Sequence, residues 1–231
     1  MCYKAPKERT ILSGLQPIEI AVVVVLIIFS LGAHEAAHAW TADRCGDDTG
    51  RMQGRVTLNP LPHIDPFGTI LLPAMLLYLT NGAFVFGSAR PVPVDMTRLR
   101  HGWRDMALVA AAGPGANIIV GIAAALLLKF FISTGMFTLD QRIDELLLAC
   151  LWANVFLAVF NLLPIPPLDG SRILTWLLPR NWRERYQSIG LFGIVITLLL
   201  LEFVPGFQYG LVFVGVGLAR LIEWGTGIAG L

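Results

Sequence analysis

The chain has 231 residues, of which 55% are hydrophobic and 14% charged, and its formal net charge is +1. A soluble domain carries about 25% charged residues, so the composition excludes an ordinary soluble protein and predicts an all-α integral membrane protein. No dense basic run supports a nucleic-acid partner. The three cysteines form no CxxC pair, which argues against a disulfide framework and against a cysteine zinc site.

Apolar segments alternate with polar, arginine-containing segments along the chain. After a polar N-terminal tail over residues 1–16, the predicted helical spans cover residues 17–40, 106–131, 146–163, 188–203 and 209–224. Between the first two spans, Arg55-Val56-Thr57-Leu58 predicts a short β element, near residues 51–60, that ends at Asn59-Pro60. Because each span takes about 20 apolar residues, we expect no separate soluble domain.

The first span ends in the motif His34-Glu35-Ala36-Ala37-His38. In a helix the two imidazoles lie on one face about 6 Å apart, which suits two ligands of one zinc ion. The intervening Glu35 can act as general base on a water that the metal activates. Ionisable groups in an apolar span are costly and therefore indicate a functional site. The alternative is an interfacial helix end whose polar groups reach water.

A hydrolytic zinc site needs a third protein ligand and an open position for water. His63 and His101 are the other histidines, but their polar surroundings favour interfacial positions. Asp169 is a better candidate, because it follows a span directly within a proline-rich stretch that cannot form a regular helix. Irregular backbone at membrane depth is tolerated where it lines a cavity or packs within protein. Asp169 could also be an ordinary turn residue before Gly170.

Three motifs within residues 17–175 resemble those of the site-2 protease family of intramembrane zinc metalloproteases. They are His34-Glu35-x-x-His38, Gly113-Pro114-x-x-Asn117 and Asn161-x-x-Pro164-x-x-Pro167-x-Asp169-Gly170. The resemblance implies a single zinc ion on His34, His38 and Asp169, with Glu35 as the base. It also implies that Asn161 lies near the scissile carbonyl, where an amide donor can stabilise a developing oxyanion. Asn161 could instead cap the helix end before Pro164, and both roles are compatible.

The two ligand sets must lie at the same depth in the membrane. The helices that carry His38 and Asp169 both end near their ligands, so only one crossing can separate them. Two apolar segments, 66–86 and 106–131, nevertheless lie between them. Segment 66–86 is the weaker, because a proline and Asn81-Gly82 interrupt it. We therefore predict about five transmembrane helices plus a re-entrant or membrane-embedded hairpin over residues 66–86.

Basic residues concentrate on the predicted active-site side of the membrane. This side holds eleven arginines: Arg44, Arg51, Arg55, Arg90, Arg98, Arg100, Arg104, Arg172, Arg180, Arg183 and Arg185. The opposite side holds Lys4, Lys7, Arg9, Lys129 and Arg142. The positive-inside rule then predicts a cell-membrane protein with its N-terminus outside and its active site near the cytoplasmic face.

The sequence thus predicts a zinc-dependent endopeptidase that hydrolyses a peptide bond within or near a transmembrane segment of a membrane protein. Residues 1–175 would form its catalytic core, and residues 176–231 a C-terminal transmembrane pair. The strand at Arg55–Leu58 could bind an extended substrate at its edge. Two alternatives are an ion or proton transporter that uses the buried His and Asp side chains, and a homologue that binds membrane proteins without cleaving them. A transporter would not explain the spacing of the metal-ligand motif.

Overall fold

The computed structural model describes residues 17–79, 87–134 and 141–228, so the predicted tail over residues 1–16 lies outside the described residues. Within these ranges the chain forms nine α-helices, a 3-10 turn and a π-helical segment, and no β-strand. The α-helices are α1 (Pro17–Arg44), α2 (Thr49–Met52), α3 (Leu72–Leu79), α4 (Trp103–Thr134), α5 (Gln141–Asn161), α6 (Asp169–Leu177), α7 (Arg180–Gln187), α8 (Phe192–Phe203) and α9 (Pro205–Thr226). The all-α prediction is confirmed.

Four of the described helices are long and apolar enough to cross a membrane. The four candidate spans are Val24–Arg44 in α1, the whole of α4, Ile143–Asn161 in α5, and α9. Helices α7 and α8 are bent by 78° relative to each other and form a fifth span only if they are taken together. Helix α8 alone has 12 residues. Its length of about 18 Å is less than the roughly 30 Å of a hydrocarbon core. The described chain therefore has four or five spans, in line with the predicted number.

Helix α4 lies at the centre of the bundle and contacts α1, α5, α6 and α9. Its C-terminal half packs against α5 and α9 through an apolar core. This core includes Ala124, Ala125, Leu128, Leu151, Val155, Ala219 and Ile222. Gly121 permits the close approach of α5, because a Cβ atom there would lie 3.3 Å from Leu151 Cδ1. The N-terminal half of α4 is left to face α1 and α6.

The apolar segment that begins at Pro66 returns to the place where it started. A π-helical segment (Pro66–Leu71) continues into α3, and together they are too short to be a candidate span. The Ser88 N–H donates to the Gly68 carbonyl at 2.9 Å, and the Arg90 N–H donates to the His63 carbonyl at 2.8 Å. Because both ends meet, the chain turns back on itself between them, as the predicted hairpin requires, and its position in the membrane stays a prediction. Residues 80–86 of the predicted hairpin lie outside the described residues.

The predicted β element near residues 51–60 is wrong. The structure has helix α2, then turns, then a 3-10 turn over Leu61–His63 in this region. Nearby side chains, and not a partner strand, accept the backbone hydrogen bonds here. Asn59 N–H donates to Thr57 Oγ1, and Leu61 N–H donates to Asn59 Oδ1, both at 3.1 Å. Thr and Asn commonly stabilise turns in this way. An alternation of side-chain types does not produce a strand without a neighbouring strand to pair with.

Candidate metal centre

Helix α1 presents two buried histidines towards the N-terminal half of α4. The Nε2 atoms of His34 and His38 lie 3.0 Å apart, and their ring centroids are 4.6 Å apart. The side chains are only 6% and 8% exposed. The two rings therefore share one face of the helix, as their spacing predicts.

Asp169, the first residue of α6, brings a carboxylate to these two rings. Its Oδ2 atom lies 3.1 Å from His34 Nε2 and 3.3 Å from His38 Nε2. The residues between α5 and α6 are non-helical, as predicted. The chain can fold back tightly here because Gly170 has no side chain: a Cβ atom at that position would overlap the carbonyl oxygen of Leu162. The structure thus joins the two distant ends of the predicted site.

The tautomer of His38 is set by a backbone contact. Its Nδ1 atom lies 2.7 Å from the Val109 carbonyl oxygen. A carbonyl can only accept, so Nδ1 carries the proton, and Nε2 of the neutral ring directs a lone pair towards Asp169. Metal-binding histidines commonly make this kind of backbone contact through their other nitrogen.

These atoms fit a zinc ion. The buried Asp169 Oδ2 atom accepts no hydrogen bond of good geometry from the described residues, although both imidazoles are close. Burying a carboxylate oxygen without a donor or a cation is unfavourable. Two imidazole nitrogens and one carboxylate oxygen form a ligand set that catalytic zinc sites use, with a fourth position left for water.

Gly113 on α4 has no side chain and therefore leaves the space beside the two histidines open. A Cβ atom there would lie 2.5 Å from His38 Nε2 and 2.6 Å from His34 Cε1. One helical turn further along the same face, Asn117 is fully buried, and neither of its amide atoms has a hydrogen-bond partner within the described chain. Gly113, the first residue of the Gly113-Pro114-x-x-Asn117 motif, therefore lies directly against the histidine pair.

Glu35 is half-buried next to the centre. One metal-ligating atom from each of His34, Glu35 and His38 lies within 4.8 Å of the other two. The Oε2 atom of Glu35 accepts the backbone N–H of Val92 at 3.0 Å. Sequence reasoning missed this contact, because a backbone donor leaves no side-chain signature. The available signal was the run Pro91-Val92-Pro93, in which only the valine has an N–H to donate.

Asn161 is the last residue of α5, and its side-chain N–H donates to the Leu157 carbonyl of the same helix at 2.9 Å. This contact agrees with the expected role of Asn161 at the end of the helix, and its catalytic role remains a prediction. The other two histidines lie in different settings. His63 is 2% exposed, which differs from the expected interfacial position, and its Nε2 lies 3.1 Å from the Thr57 carbonyl oxygen. His101 is exposed and pairs with Asp105 at 3.3 Å.

Comparison with known proteins finds one peptidase family model and several proteins named as zinc metalloproteases. The family model of peptidase family M50 matches residues 131–201. The chain is 39% identical over 181 residues to "Putative zinc metalloprotease YwhC" of Bacillus subtilis (strain 168), which covers 77% of this chain and 78% of that protein. It is 30% identical over 191 residues to "Putative zinc metalloprotease Rip2" of Mycolicibacterium smegmatis, with 81% and 70% covered. The Rip2 protein of Mycobacterium tuberculosis (strain H37Rv) is 33% identical over 214 residues, with 86% and 76% covered. No solved structure has significant similarity.

Proposed function

Because this membrane protein belongs to peptidase family M50, the site-2 protease family of zinc metalloproteases, we propose that it is an intramembrane endopeptidase with one zinc ion. Its substrate would be another membrane protein, cut within or near a transmembrane segment in the lipid bilayer. Release of a membrane-tethered regulator, as in regulated intramembrane proteolysis, would be the biological outcome.

One observation carries this proposal. The Nε2 atoms of His34 and His38 and the Oδ2 atom of Asp169 converge within 3.3 Å of one another at the ends of apolar segments. We assign these three side chains as the zinc ligands. Zinc held there would supply Lewis-acid activation of water and of the scissile carbonyl. The setting favours a substrate that reaches the site from the bilayer.

Glu35 is the proposed general base. It would take a proton from the attacking water as the new carbon–oxygen bond forms. It would then pass that proton to the leaving nitrogen as the peptide bond breaks. The Val92 N–H contact, 3.0 Å from Glu35 Oε2, holds the carboxylate in a defined position for both transfers. The backbone contact of His38 Nδ1 with Val109, at 2.7 Å, keeps the imidazole oriented.

Asn161 is proposed to stabilise the developing oxyanion. For this role its amide would have to leave the Leu157 carbonyl, which it contacts at 2.9 Å. A side chain that rotates away from its own helix when substrate binds could do so. We keep residues 1–175 as the proposed catalytic core and residues 176–231 as the C-terminal transmembrane pair.

The hairpin supports the proposed topology. Its two ends meet through Ser88 and Gly68, so the end of α1 and the beginning of α4 lie on one side of the membrane. By the positive-inside rule this arginine-rich side is the cytoplasm. The active site would then face the cytoplasm of the cell, and the N-terminus would be outside.

The experiment compares the membrane proteomes of cells that carry the wild-type enzyme or the Glu35→Gln variant. We expect a single-span protein to accumulate uncut with Glu35→Gln, and its wild-type product to end within or next to its apolar segment. The Glu184→Gln variant, at an exposed position on α7, is the matched control and should behave as wild type. Products that end only in water-exposed loops would overturn the intramembrane assignment.

A further inference from the structure

Arg55 is buried without an acidic partner. The residue is 4% exposed, and no ion pair of Arg55 occurs within the described parts of the chain. An arginine counted from sequence as a cytoplasmic surface charge is thus inside the protein. Burying a guanidinium without a carboxylate costs free energy, so other hydrogen-bond acceptors must compensate for the missing partner.

The guanidinium joins two loops. Its Nη1 atom donates to the Pro62 carbonyl and makes a longer contact, 3.5 Å, with the Arg90 carbonyl. The loop around Pro62 is tied to the same segment a second time, because the Arg90 N–H donates to the His63 carbonyl at 2.8 Å. Arg55 therefore holds the loop around Pro62, and this loop in turn holds the backbone at residue 90 through the His63 carbonyl.

Two residues further along this segment, the Val92 N–H donates to Glu35 Oε2 at 3.0 Å. Pro91 and Pro93 flank this donor, and a residue before proline prefers extended backbone. Val92 is 8% exposed, and its Cγ1 atom would lie 3.2 Å from a Cβ atom placed on Gly50, at the position where α1 and α2 meet. The path from Arg55 to Glu35 thus runs through the Pro62–His63 loop and the Pro91-Val92-Pro93 backbone.

The charges agree with this path. Burial lowers the pKa of Arg55 below its usual value, the neighbouring Arg90 lowers it further, and the Glu35 carboxylate opposes both. The Glu35 carboxylate therefore lies close enough to the guanidinium to act on the pKa of Arg55.

We propose that Arg55 is a positioning residue for peptide hydrolysis: it holds the Arg90–Val92 backbone so that the Val92 N–H fixes the Glu35 carboxylate at the reacting water. This inference rests on the proposed function, in which Glu35 is the base. It gives a role to two residues, Arg55 and Val92, whose hydrogen bonds within the described chain go to groups other than the proposed zinc ligands.

The test uses the full-length enzyme in proteoliposomes with the single-span substrate that accumulates in Glu35→Gln membranes. Arg55→Met keeps the length of the side chain but removes its charge and donors. We expect kcat to fall by about 10- to 100-fold, the usual effect of losing an outer contact. KM should stay within about twofold and the zinc content should not change. Arg55→Lys should recover part of the lost kcat, and Arg51→Met, at a 62% exposed side chain, is the matched control.

Val92→Pro removes the N–H donor, whereas Val92→Ala removes the same side chain but keeps the donor. We expect kcat of the proline variant to be about tenfold below that of the alanine variant. The double variant Arg55→Met, Val92→Pro should be no slower than the slower single variant, because both act through one contact.

The outcomes separate this inference from the proposed function. If Glu35→Gln still cleaves, the proposed function fails. If Glu35→Gln is inactive while Arg55→Met keeps wild-type kcat, or loses zinc, only the role of Arg55 is overturned. If Arg55→Met does not fold, the Val92 pair decides: equal kcat of Val92→Pro and Val92→Ala would overturn the inference.

Discussion

The Oδ2 atom of Asp169 lies 3.1 Å from the Nε2 atom of His34, although Asp169 begins α6 and His34 lies within α1. Three features bring them together. The hairpin returns the chain to one side, the two candidate spans α4 and α5 then run out and back, and Gly170 lets α6 start against the end of α5. The contact therefore depends on the topology of the whole core.

Asp169→Asn should strongly reduce zinc binding, because an amide oxygen is a much weaker zinc ligand than a carboxylate. His34→Ala and His38→Ala should have the same effect. Zinc per purified chain, measured by elemental analysis, checks this. Asp144→Asn, in the first turn of α5, is the control and should keep wild-type zinc. Full zinc occupancy in Asp169→Asn would remove Asp169 from the ligand set.

Gly113→Ala should weaken zinc binding without unfolding the protein. The added methyl group would lie 2.5 Å from His38 Nε2, so the imidazoles must move apart. We expect a loss of about 10- to 100-fold in zinc affinity, measured by competition with a chelator. Gly115→Ala is the control on the same helix, since a Cβ atom there would have no described atom within 4 Å apart from its chain neighbours and the backbone of its own helix. Equal zinc affinity in both variants would contradict the proposed position of the metal.

Cysteine labelling tests the topology. In a background without the native cysteines, Arg51→Cys and Arg185→Cys should react with a membrane-impermeant maleimide in inside-out vesicles, and Ser133→Cys in intact cells. All three positions are exposed in the structure. Reaction of Arg51→Cys and Arg185→Cys on opposite sides would mean that residues 66–86 cross the membrane. Reaction of both in intact cells would instead reverse the orientation and place the active site outside.

Much of the metal centre could be predicted from the sequence. Its geometry follows from the spacing of residues along a helix and from the number of membrane crossings between the two ligand sets. The spacing of His34 and His38 fixes their shared face, and proline and glycine around Asp169 exclude a continuous helix. The requirement that both ligand sets lie at one depth also identified the segment after Pro66 as a hairpin. These inferences need no knowledge of side-chain packing.

The surroundings of Glu35 could not be predicted in this way. The Val92 N–H is a backbone donor, present in almost every residue type, and its contact with Glu35 joins residues that lie far apart in the chain. His63 looked like an interfacial residue, and Arg55 was counted with the charges on the cytoplasmic side, because composition alone does not reveal which polar side chains a fold encloses. The expected strand at Arg55–Leu58 failed for a related reason: strand formation depends on a partner strand that no local pattern specifies.

The most direct test of the account is Glu35→Gln, with zinc content and cleavage measured on the same sample. Glutamine keeps the shape of the side chain and can still accept the Val92 N–H, but it cannot take a proton from water. We predict wild-type zinc content together with a loss of cleavage of at least about 100-fold, the usual contribution of a general base. Cleavage by Glu35→Gln at the wild-type rate would contradict the account.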